Sequence, residues 1–203
     1  MSHADEHDSP ALRAARSLER AEALDPVIDR VRPWVARLLE DRPGLAALAH
    51  GRPLGHALHP LMTDLPLGLW MSASALDLTG GPDARPHADR LLGLGVLAAL
   101  PTSLTGAADW AVSGRRTQRV GTAHAALNSA ALALYAGSWL LRRQGSRSLG
   151  VAASLLAGGL VGASGYLGGH MSFRLGAPPR QHSGPPTTRP VPDADEMEGT
   201  PLG

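Results

Sequence analysis

Four long stretches of this chain carry almost no charge, and that segregation limits its fold more than any motif does. They run over about Leu61–Leu78, Leu91–Val112, Val120–Leu141 and Leu149–Leu167. A bilayer core of ~30 Å needs roughly 20 apolar residues in helical form. A water-soluble helix keeps a polar face along its length, whereas these stretches are apolar on every face. The connections between them, Thr79–Arg90, Ser113–Arg119 and Arg142–Ser148, are short and polar, as antiparallel neighbours in a small bundle require. The expected fold is therefore all-α: a four-helix transmembrane bundle.

Whole-chain averages conceal this pattern. Hydrophobic residues make up 43% of the chain, because the apolar stretches are diluted by polar flanks. The expected organisation is a polar N-terminal tail over 1–24, an amphipathic helical region over 25–52, a four-span membrane domain over 53–176 and a Pro/Gly-rich tail over 177–203. Residues 1–10 and 177–203 read as disordered by composition. No apolar stretch in residues 1–30 suggests a cleavable signal peptide, so the first span is expected to direct insertion.

In the amphipathic region, Val27, Ile28, Val31, Trp34, Val35, Leu38 and Leu39 recur at helical spacing. Asp25-Pro26 resembles an N-cap followed by a first-turn proline. Pro33 is expected to bend this helix and Pro43-Gly44 to end it. Trp34 and the neighbouring arginines suit a helix lying in the membrane interface; the rival reading packs it on a soluble partner. The glycines of the fourth span, Gly158, Gly162, Gly165 and Gly169, suit close packing of helix backbones in lipid. Pro66 and Pro101 are expected to kink the first two spans.

An antiparallel order brings the unusual polar residues to one membrane face. His56, His59 and Asp64 start the first span. Thr102, Thr105 and Asp109 form a stripe at the end of the second. His124 and Asn128 lie four apart on the third, and His170 closes the fourth. Ionisable residues in spans usually face the bundle interior and pair there. Each also has a structural explanation: His59-Pro60 as a helix start, Asp109-Trp110 as an interface anchor, Asn128 as interhelical glue. The opposite face offers Asp77 and loop residues such as Asp83, His87 and Asp89. Arginines near the span ends favour the histidine face (Arg42, Arg52, Arg115, Arg116, Arg119, Arg174, Arg180) over the other (Arg85, Arg90, Arg142, Arg143, Arg147). By the positive-inside rule that face, and with it both termini, is expected to be cytoplasmic.

The blocks "LGHALHPLMTDLPLGLW", "LDLTGG", "LTGAADW", "RVGTAHAALN" and "YLGGHMSFRLG" resemble, in order and over about residues 45–176, a bacterial membrane family called domain of unknown function 2231. The resemblance implies four spans and a bacterial inner membrane. Actinobacterial members of this type often continue into a Rieske [2Fe–2S] domain. This chain departs there: it has no cysteine, so a link to a Rieske or other redox protein would be made in trans.

Several functions remain open. Two imidazoles from different spans could ligate haem b, with His124 and His170 the preferred pair and His59 the substitute. His56, His59, His124 and His170, with Asp64 or Asp109, could hold Zn²⁺ or Fe²⁺, with Asn128 and Thr105 orienting the rings. A structural or assembly subunit, or a proton or small-solute pathway, needs no cofactor. The absence of a nucleophile–base pair, phosphate loop or dinucleotide fingerprint argues against a conventional soluble-type enzyme. A net charge of +1 without a basic stripe argues against nucleic acid. The partner expected in every case is the lipid bilayer.

Overall fold

The computed structural model describes residues 9–178, and among these every regular element is helical. Three short helices come first: α1 (Pro10–Glu19), α2 (Asp25–Glu40) and α3 (Pro43–Ala49). Four long ones follow: α4 (Leu58–Thr79), α5 (Gly81–Val112), α6 (Arg115–Arg143) and α7 (Arg147–Arg174). The tails expected to be disordered fall largely outside the described residues.

The long helices form an antiparallel bundle, and side-chain contacts fix its order. His59 at the start of α4 meets Thr102 and Thr105 near the end of α5. Arg142 at the end of α6 meets Asp77 at the end of α4 and Asp89 near the start of α5. Between the two ends lies an apolar belt of Trp70, Ala73, Leu92, Ala99, Ala131, Tyr135 and Ala157. The Trp70 and Tyr135 rings stack there at 4.0 Å. Two helices, α5 and α7, are long and apolar enough to cross a membrane. The other two carry more polar side chains, including Asp64 and Asp77 on α4 and Gln118, Arg119, His124 and Asn128 on α6.

The helices run past the sequence-derived limits at most ends. The largest departure is the expected loop Thr79–Arg90, nearly all of which is helix. The α4–α5 turn is confined to Gly80-Gly81, where Gly81 takes φ +64°, a conformation L side chains resist. Pro82 then stands in the first turn of α5, where its missing N–H does no harm. The 32 residues of α5 measure about 48 Å at 1.5 Å per residue, longer than the ~30 Å of a hydrocarbon core.

The polar region 1–24 contains a helix that the charge pattern hid. Ser9 caps α1 by accepting from the Leu12 N–H at 3.2 Å. Its Ala15 packs against Val120, Leu167 and Leu175 of the bundle. The amphipathic helix is α2, continuous through Pro33. One face of it, with Ile28, Ala36 and Leu39, is buried; Val27, Val31 and Trp34 point outward, Trp34 at 70% exposure. Asp25 does not cap α2. Its carboxylate accepts both Arg119 Nε (2.8 Å) and a terminal nitrogen (2.6 Å). Pro43 ends nothing further; it opens α3. The glycines of α7 also differ from expectation. A Cβ on Gly162 or Gly165 would meet open space, because α7 packs through Ala157, Ser164, Leu167 and His170 instead.

Candidate functional site

Three separate polar assemblies stand at the histidine end, where a single site was expected, and a fourth lies at the other end. The first joins His59 and His124. His59 Nδ1 lies 3.1 Å from the Thr102 carbonyl and 3.2 Å from Thr105 Oγ1, while the Thr105 hydroxyl donates to that same carbonyl at 2.7 Å. The ring lies against Gly106, where a Cβ would come within 2.7 Å of His59 Cε1. The His124 ring stands edge-on to it, with centroids 6.5 Å apart.

His124 is held at both nitrogens. Its Nδ1 is 2.8 Å from the Ser164 carbonyl and 2.8 Å from Ser164 Oγ. Its Nε2 is 3.0 Å from Asn128 Nδ2. An amide NH₂ can only donate, so Nε2 accepts, and Nδ1 carries the proton given to the carbonyl. This is a neutral imidazole with no nitrogen left over.

The second assembly is His170 with Glu19, Nε2 to Oε1 at 2.8 Å, both side chains buried. The other Glu19 oxygen meets Arg116 at 3.3 Å. The expected pairing of His170 with His124 at a common centre is replaced by this one, because α1 folds back onto the bundle and brings a carboxylate to the ring. The third is His50 with Asp109, Nδ1 to Oδ1 at 3.0 Å. Asp109 Oδ2 is buried without a partner. His50 gave no signal in the sequence, standing outside every apolar run, just after a short helix that only tertiary packing places.

His56 and Asp64, also expected as ligands, are both exposed. Among the described residues no group of three or more His, Cys, Asp or Glu side chains is arranged to hold a metal ion. Trp110 is not a free interface anchor: its Nε1–H donates to the Gln118 carbonyl at 2.9 Å, closing the α5–α6 turn.

The fourth assembly lies at the opposite end and was missed. Arg142, its side chain 1% exposed, donates to Asp77 (2.6 Å) and Asp89 (3.0 Å). Arg147 donates to the same two carboxylates at 2.6 and 3.0 Å. Arg142 also reaches Ser138 Oγ at 3.2 Å and Ser154 Oγ at 3.0 Å, so the cluster ties all four long helices. Two bidentate-capable guanidinium groups balancing two carboxylates make this burial tolerable. Pairing Asp77 with the arginines that the same topology puts at its end would have found it.

These observations define a class: an all-helical bundle with an apolar exterior, an apolar belt and polar clusters tying its ends, as in helical membrane proteins. The chain belongs to the family described as Predicted membrane protein (DUF2231), which matches residues 55–178. No curated protein and no solved structure matches it.

Proposed function

We propose that this chain is a structural subunit of a bacterial inner membrane: a four-span bundle whose interior histidines are helix-to-helix clamps. One observation carries the reading. His50, His59, His124 and His170 each bond to a side chain or backbone group of a different helix. Groups committed in this way stiffen an assembly rather than await a ligand.

Crossing by all four long helices has further support. The outward face of α4 shows Leu61, Leu65, Met71 and Leu78, all more than half exposed, a face suited to lipid and not to water. The antiparallel order makes α5 and α7 parallel, so α6 has to return across whatever they cross. The outward stripe Val27, Val31 and Trp34 on α2 lies at i, i+4 and i+7 spacing, with Arg37 over the Trp34 ring at 5.8 Å. That composition fits a helix lying at the bilayer surface. The arginine balance supports a cytoplasmic position for this face and the termini.

The test is a visible spectrum and metal analysis of the detergent-purified protein, beside the unfolding of His124→Ala. The expected outcome is no Soret band and no stoichiometric metal. Removing the ring leaves Ser164 and Asn128 underbonded, and a loss of about 1–3 kcal/mol is expected. A haem band or bound metal that disappears in His124→Ala overturns the scaffold reading.

A further inference from the structure

We propose that the Asp77–Arg147 end of the bundle binds a phosphate group, carried by an anionic lipid or free. A cleft of about 460 Å³ opens there, lined by Asp77, Gly81, Arg85, Arg147, Ser148 and Val151. The argument begins with charge. Asp77 and Asp89 are each paired with both Arg142 and Arg147, so these four groups sum to zero. Arg85 adds a positive charge at the rim with no acceptor among the described residues. Asp83, two positions earlier, is turned about 200° away around the helix and is not part of the lining.

Donor geometry points the same way. The Arg147 side chain is 23% exposed, and its bonds to Asp77 and Asp89 use its two terminal nitrogens, leaving Nε–H outside the cluster. Ser148 contributes an exposed hydroxyl. The first turn of α7 has no side-chain cap, so its amide N–H groups are open to an acceptor. Arginine forks, a hydroxyl and free amides are the donor set that phosphate oxygens take. Because both carboxylates are already paired with arginines, repulsion of the anion is blunted.

Depth favours the lipid source. The cleft lies at the end of α4 and the starts of α5 and α7, where a spanning helix meets the headgroups. Trp139 lies near the same end of α6 with Arg143 over its ring at 4.1 Å, an aromatic–basic pairing typical of the interface.

The experiment uses the full chain in a neutral detergent. Dioctanoyl phosphatidylglycerol is titrated against wild type and Arg85→Gln, with dioctanoyl phosphatidylcholine and inorganic phosphate as competitors. Arg85 makes none of the buried bonds, so Arg85→Gln keeps the fold, which its unchanged unfolding temperature without lipid verifies. Wild type is expected to bind phosphatidylglycerol about tenfold tighter than Arg85→Gln does, as loss of one charge-assisted contact implies. Retained phosphatidylglycerol binding under excess inorganic phosphate assigns the site to lipid. Full displacement at comparable concentration assigns it to free phosphate. Equal affinity in wild type and Arg85→Gln, or no preference for phosphatidylglycerol over phosphatidylcholine, overturns the proposal. None of these results bears on cofactor content, so failure here leaves the scaffold reading standing.

Discussion

The two ends of the bundle solve the same problem differently. At the histidine end, polar side chains work in separate small groups, and two of these, His170–Glu19 and His50–Asp109, tie the short helices α1 and α3 to the bundle. At the arginine end no short helix covers the bundle among the described residues. A two-glycine turn closes α4 onto α5, and one connected cluster of Arg142, Arg147, Asp77 and Asp89 ties all four helices at once. Divided polar groups can be lost one at a time; a shared network fails as a whole.

The largest expected effect is therefore at the arginine end. Asp77→Ala leaves Arg142 buried with half its charge balance gone and should lower stability by about 3–5 kcal/mol, read from thermal or denaturant unfolding in detergent. A loss no greater than that of His124→Ala would erase the proposed difference between the ends.

A smaller effect is expected from Gly106→Ala at the histidine end. The new methyl would approach three His59 ring atoms at 2.7 to 3.1 Å, so the ring must move off Thr105. Overpacking of this kind costs about 1–3 kcal/mol. A paired His59→Ala background should recover much of the loss, since the obstructing ring is then gone; an unchanged loss in that background would place the clash elsewhere.

The mildest effect concerns pH. Hydrogen bonding to Arg119 holds the Asp25 carboxyl below its ordinary value. A lowered carboxyl pKa gives stability that is fully present above the unfolded value, near 3.9, and lost as pH falls through the folded one. The α2 helix should loosen on acidification below about pH 4, followed by hydrogen–deuterium exchange of its amides. Arg119→Gln should remove that dependence and leave α2 equally accessible on both sides of the transition.

The four long helices were legible because charge is missing from them over whole turns, which no local competition can imitate. The α4–α5 connection was not legible. Asp83, Arg85, His87, Asp89 and Arg90 read as a loop, yet they lie in the first turns of one continuous helix. The histidine end was half legible. Helix order alone brought His59 near His124, and spacing of four put Asn128 beside His124. The partners Glu19 and His50 could not be seen, since both come from short helices whose position depends on how the N-terminal region folds back. The Asp77–Arg142 pair was hidden differently: both residues were visible, but each stood as an isolated charge until their shared end of the bundle was considered.

The Asp77–Arg142 contact also sets a schedule for biosynthesis. The two residues are 65 positions apart, and a ribosome adding 5–20 residues per second leaves Asp77 without its partner for roughly 3–13 s. In the proposed topology α4 would during that interval carry a carboxylate that lipid does not accept. In the proposed four-span topology the α4–α5 hairpin would wait at the surface or in the insertion machinery until α6 arrives, and a chain truncated before Arg142 is expected to be degraded rather than accumulate as a half-bundle.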